Sequence, residues 1–110
     1  MLLWQAGRRY HGRMLYAVLF TDDDTHAAAR RRLMPAHLDF LEKHRGQIRA
    51  AGPLREVDGT PAGGLWLVEA DSPESVVKLY QEDPFWPTGL RKAIRVLQWS
   101  QVFADGRRLI

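Results

Sequence analysis

Residues 65–84 read LWLVEADSPESVVKLYQEDP, and their reading decides the fold. Residues 65–70 form a short apolar run of the kind that makes a strand. Asp71-Ser72-Pro73-Glu74 then opens a helix, with Ser72 placed to cap it and Pro73 suited to its first position. Val76, Val77, Leu79 and Tyr80 give that helix its apolar side, and Asp83-Pro84 stops it. After the loop 85–89, residues 92–103 read as a last strand. This is one β-α-β half.

The same order precedes it. Residues 15–21, LYAVLFT, form an apolar β-rich run stopped by Asp22-Asp23-Asp24, which suits a solvated helix entrance. Residues 27–33 make a first helical piece. Pro35 disfavours helical geometry at Met34 and sits well as a first helical residue, so a boundary is predicted there. Leu38, Phe40 and Leu41 carry the next helix to Lys43-His44-Arg45-Gly46, a C-terminal signal. Residues 47–54 read as a strand ending at Gly52-Pro53, and Asp58-Gly59 and Gly63-Gly64 bracket a loop. The order β-α-β-β-α-β predicts an α+β, ferredoxin-like fold, an antiparallel sheet with both helices on one face.

A sheet covered on one side should alternate apolar and polar residues. These strands do not. Leu15, Ala17 and Leu19 oppose Tyr16, Val18 and Phe20; Leu65 and Leu67 oppose Trp66 and Val68; Leu97, Trp99 and Phe103 oppose Ile94, Val96 and Val102. The helices can cover one set only, so a homodimer packed through the open sheet face is expected.

The chain has 110 residues, 45% hydrophobic and 26% charged, enough for one domain with a modest core. It has no cysteine, which excludes disulfides and thiolate chemistry. No apolar run approaches a membrane span, and the first residues do not make a signal peptide, so the chain reads as cytoplasmic. Its net charge of +3 is carried by Arg8, Arg9 and Arg13. Residues 1–13 are therefore read as a flexible extension, 14–110 as the domain, and the basic balance as no sign of nucleic acid.

Topology brings distant residues together. His37 starts a helix, Gly52 and Pro53 end the second strand, and Asp83 ends the other helix, all at one end of the fold. Phe85 and Trp86, beside Pro84, can wall a cleft for a small planar ligand. The positive end of a helix favours a neutral imidazole able to accept a proton, and a carboxylate near it fixes the tautomer. His37 and Asp83 thus form a candidate acid–base pair. His11, His26 and His44 have no metal-ligand company at useful spacing, so no metal is expected. The four tryptophans fit core and interface, and no helix directly follows the glycines to make a phosphate loop.

At these residues the sequence resembles the YciI-like (YCII-related) proteins. The resemblance runs from Met14 to about Phe103. It rests on Leu15-Tyr16-Ala17-Val18, Pro35-Ala36-His37-Leu38 with Phe40-Leu41, Ala51-Gly52-Pro53-Leu54, Gly64, and Asp83-Pro84-Phe85 with Gly89-Leu90. It implies a dimer of the dimeric α+β barrel group and a histidine–aspartate site at His37 and Asp83. A member of that family removes hydrogen chloride from a chlorinated hydroxyquinol. One position departs from the pattern: an arginine often found before the family's proline is Met34 here, leaving Arg31 or Arg32 as substitutes.

The function expected is cofactor-independent proton transfer, an isomerisation or elimination, on a small and enolisable or aromatic compound. His37 would be base or acid and Asp83 its orienter, with Gly52, Pro53, Pro84, Phe85 and Trp86 holding the ligand. The alternative is a non-catalytic binding or accessory protein using the same cleft. An RNA-binding module shares the topology, but Gly64-Leu65-Trp66-Leu67-Val68 lacks the basic residue such a surface needs.

Overall fold

Strand, helix, strand, strand, helix and strand alternate along the chain in a computed structural model that describes residues 13–110. β1 spans Met14–Asp22, α1 Ala27–Lys43, β2 Ile48–Arg55, β3 Pro61–Ala70, α2 Pro73–Gln81 and β4 Arg91–Gln98. The four strands pair antiparallel in the order β2-β3-β1-β4, the ferredoxin-like arrangement. The flexible extension expected over residues 1–13 lies, except for Arg13, outside the described residues. Arg13 itself is tied to the domain, its guanidinium 3.2 Å from the buried Glu69 carboxylate.

Register explains the core. Tyr16 faces Val68 and Val18 faces Trp66 across one ladder, while Val18 faces Val96 and Phe20 faces Ile94 across the other. These residues share one sheet face, on which Phe40 of α1 and Val76, Leu79 and Tyr80 of α2 pack. The opposite face carries Leu15, Ala17, Leu19, Leu65, Leu67 and Leu97; among the described residues no helix covers it, and part of the C-terminal segment, including Ala104 and Leu109, lies beside Leu15 and Leu67.

α2 begins as its sequence dictates, the Ser72 hydroxyl accepting from the Ser75 backbone N–H at 3.2 Å and Pro73 opening the helix. α1 does not break at Pro35: a single helix of 17 residues runs through it. Proline removes the partner of the Arg31 carbonyl. Arg31 and Pro35 both lie on the exposed side, so water can take that carbonyl. His37 is consequently in mid-helix rather than in an opening turn, and the helix-end argument for its neutrality falls away.

The last strand also differs from expectation. β4 ends at Gln98, and a two-stranded hairpin follows, β5 Phe103–Ala104 paired with β6 Arg107–Arg108. Asp105 and Gly106 turn it with φ of 54° and 78°, the left-handed pair of a two-residue hairpin turn. Among the described residues no helix is long and apolar enough to cross a membrane.

Candidate active site

α1 presents Arg30, Met34, His37, Leu38 and Leu41 along one stripe, the spacing of one side of a helix. Facing it are Ala51, Gly52 and Pro53 of β2 and Gly63, Gly64 and Trp66 of β3. With Arg55, Phe85 and Arg91 they enclose a cavity of about 250 Å³. A cavity of about 150 Å³ already holds benzene, so this one suits a single substituted ring.

The polar centre is the His37–Asp83 pair. Nδ1 of His37 lies 2.8 Å from Oδ1 of Asp83, with the side chains 9% and 3% exposed. A carboxylate only accepts, so Nδ1 is the protonated nitrogen and Nε2 is left to accept a proton. Asp83 is fixed by its own turn: its Oδ1 also accepts from the Phe85 N–H at 3.2 Å, and its carbonyl accepts from the Trp86 N–H at 2.8 Å. Phe85 completes the unit by stacking on the imidazole, centroids 4.1 Å apart and planes 14° from parallel.

A second charged group sits on the same wall. Arg91 Nη1 donates to Asp22 Oδ1 at 2.9 Å, and Arg30 pairs with the other Asp22 oxygen. The Arg91 guanidinium lies 4.2 Å from the Phe20 ring centre and 5.3 Å from that of Phe85. Burial pushes Arg91 below its ordinary pKa, and the nearby Asp83 charge opposes that shift.

The sequence expectations divide accordingly. His37 and Asp83 meet, and Gly52, Pro53 and Phe85 line the cavity with His37; Asp83 does not line it and reaches it through the imidazole. Pro84 and Trp86 are not part of the cavity wall; the turn after Asp83 sends the Trp86 ring against Tyr80, 5.2 Å between centroids. The triple aspartate is not a uniform solvated entrance. Asp22 ends β1 with its side chain 6% exposed, Asp23 accepts from the Thr25 N–H and hydroxyl, and Asp24 is exposed. The Thr25 hydrogen bonds hold the Asp23 carboxyl below its usual range. Arg31 and Arg32 are exposed and do not reach the site, whose guanidiniums come from Arg30, Arg55 and Arg91. Arg30 and Met34 were hidden by the break expected at Pro35; an unbroken helix puts both on the His37 side. Asp22 and Arg91 are cross-strand partners, a signal readable once β1 and β4 are paired.

No curated protein matches the chain. Among solved structures it is similar to 5-chloro-2-hydroxyhydroquinone dehydrochlorinase from Burkholderia phenoliruptrix AC1100, solved in complex with 2,5-dihydroxybenzoquinone. The likeness has a TM-score of 0.69 at 28% identity and covers 78% of this chain and 93% of that one. The YCII-related domain matches residues 14–100, most of the length, and the chain accordingly belongs to the YCII-related domain family.

Proposed function

We propose that this protein is an enzyme that moves protons on a small ring compound, using His37 as base and acid and Asp83 to hold its tautomer, without a metal or redox cofactor. The observation that carries this reading is the buried 2.8 Å contact between the Asp83 carboxylate and Nδ1 of His37, whose ring is on the wall of a ring-sized cavity. Isomerisation and elimination need a proton taken at one atom and returned at another, which one imidazole can do in turn. In an elimination, Nε2 takes the proton while the leaving group departs with its electron pair. The likeness to a dehydrochlorinase supports this reaction class. The working form proposed is a homodimer joined through the sheet face that carries Leu97.

The test uses 5-chloro-2-hydroxyhydroquinone as substrate and chloride release as readout, with His37→Asn as the variant. An Asn side chain can keep a donor near the Nδ1 position toward Asp83 and removes Nε2 with the outer part of the ring. Turnover should fall by about 10²-fold or more, the usual worth of a positioned acid–base group, while the melting temperature holds. Asp83→Asn should lower turnover less. Turnover by H37N equal to wild type would sink the reading, as would an inert wild-type protein against this and other hydroxylated rings.

A further inference from the structure

The cavity wall presents charge of one sign. Arg30, Arg55 and Arg91 line it, and among the described residues no acidic side chain does. Asp22 is the only carboxylate hydrogen-bonded or ion-paired to Arg30 and Arg91 among the described residues, one acid for two guanidiniums. Arg91 is 7% exposed, and its Nε is buried with no hydrogen-bond partner among the described residues. Burying a guanidinium is costly unless its charge is matched and its donors are used. Asp83 adds a favourable charge near Arg91 with no hydrogen bond or ion pair to it, so among the described residues Asp22 is the one carboxylate that uses the donors of both arginines.

We propose that the ligand of this cavity is an anion, a single ring bearing a carboxylate or an ionised enol or phenol, whose charged oxygens are received by Arg30 and Arg91 beside Asp22. The proposal rests on the reading of the cavity as a small-molecule site and names the substrate class for it. Arg30 is lowered from its ordinary pKa by burial first and then by the charges of Arg91 and Arg55, a crowding of cations that an incoming anion relieves. A guanidinium offers several N–H donors in one plane, so each arginine can keep its bond to Asp22 and present further donors to the ligand. Phe85 neighbours both Arg91 and His37, which sets the anion seat and the imidazole beside one ring. A ring held by its charged oxygen at the arginines presents its remaining edge to Nε2. For an enolate or phenolate this seat also stabilises the charge that proton removal creates.

Benzoate and benzamide test this, being rings of one shape and different charge. Their binding to the full chain is followed by the NMR signal of the Trp66 indole N–H, since Trp66 lines the cavity. Benzoate should bind at millimolar concentration or below, and about tenfold more tightly than benzamide, as expected for a charge-assisted contact. Arg30→Gln, at a side chain 28% exposed and therefore tolerant, should erase that preference, and Arg91→Lys should weaken it. Equal binding of the two rings, no binding of benzoate, or a preference unchanged in R30Q would each overturn the proposal. H37N separates the two readings: it should keep the benzoate preference while losing turnover. An anion preference lost in R30Q with turnover kept in H37N would refute the acid–base role and leave the anion seat standing.

Discussion

Phe85 is 2% exposed and serves two neighbours, the imidazole it stacks on and the guanidinium 5.3 Å away. Truncating it to Ala should destabilise the fold by about 3–5 kcal/mol, the usual loss for a buried Phe. Phe85→Leu restores most of the volume but no ring face. It should melt close to wild type and still lose turnover, because His37 can then tilt off the Asp83 axis. Thermal melts and chloride release on the two variants check this; full activity in F85L would show that the stacking is only packing. At this scale the sequence was most legible where residues announce themselves by motif, as with His37 and Asp83. It was least legible at Asp22, whose partners are distant in the chain and whose neighbours Asp23 and Asp24 look identical to it on paper.

Elements were readable wherever local chemistry and tertiary packing agree. The Ser72–Pro73 start of α2 and the apolar runs of β1 and β3 are in that class. α1 is the exception, since the local rule against proline in a helix was overruled. Phe40 is a core residue C-terminal to Pro35, Ala29 is buried on its N-terminal side, and both lie on the one continuous helix. The bond lost at Arg31 is a cost that the packing of α1 outweighs and that water at the exposed carbonyl only partly offsets. Pro35→Ala should therefore stabilise. A proline in a helix interior costs about 3 kcal/mol, partly offset by the stiffer unfolded chain, so a net gain of about 1–2 kcal/mol is expected. That is a rise of several degrees in melting temperature for a domain of this size. An unchanged or lower value would mean that the proline sets a bend on which the packing of α1 depends. The β5–β6 hairpin was missed for a different reason: Val102 and Phe103 continue the apolar pattern of β4, and the informative signal, Asp105-Gly106, comes after them.

For the molecule as a whole, the lack of alternation in the strands is explained on one face only. Leu97 at the end of β4 and Trp99 just beyond it are each 40% exposed, while the helices cover the other face. A second copy packed there should give a light-scattering mass about twice the 12.6 kDa of the chain at micromolar concentration. Leu97→Arg should yield monomer or aggregate. A stable wild-type monomer would rule out the dimer and leave the apolar face in need of another partner.

The two walls of the cavity differ in what they are made of. α1, Phe85 and the start of β4 supply the imidazole, two of the three guanidiniums and the stacked ring, whereas β2 and β3, apart from Arg55 and Trp66, contribute backbone and small residues. A Cβ added at Gly52 meets nothing within 4 Å, and its φ is not among the positive ones. Gly63 differs, since with φ of 87° any side chain there would run into the Phe20 carbonyl. Gly52 is thus a free dial on the size of the chamber. Gly52→Ala and Gly52→Val should fold as well as the parent yet turn away progressively bulkier rings, with the proton chemistry untouched. A single step at one strand edge would accordingly change which rings the cavity admits and leave the His37–Asp83 contact in place.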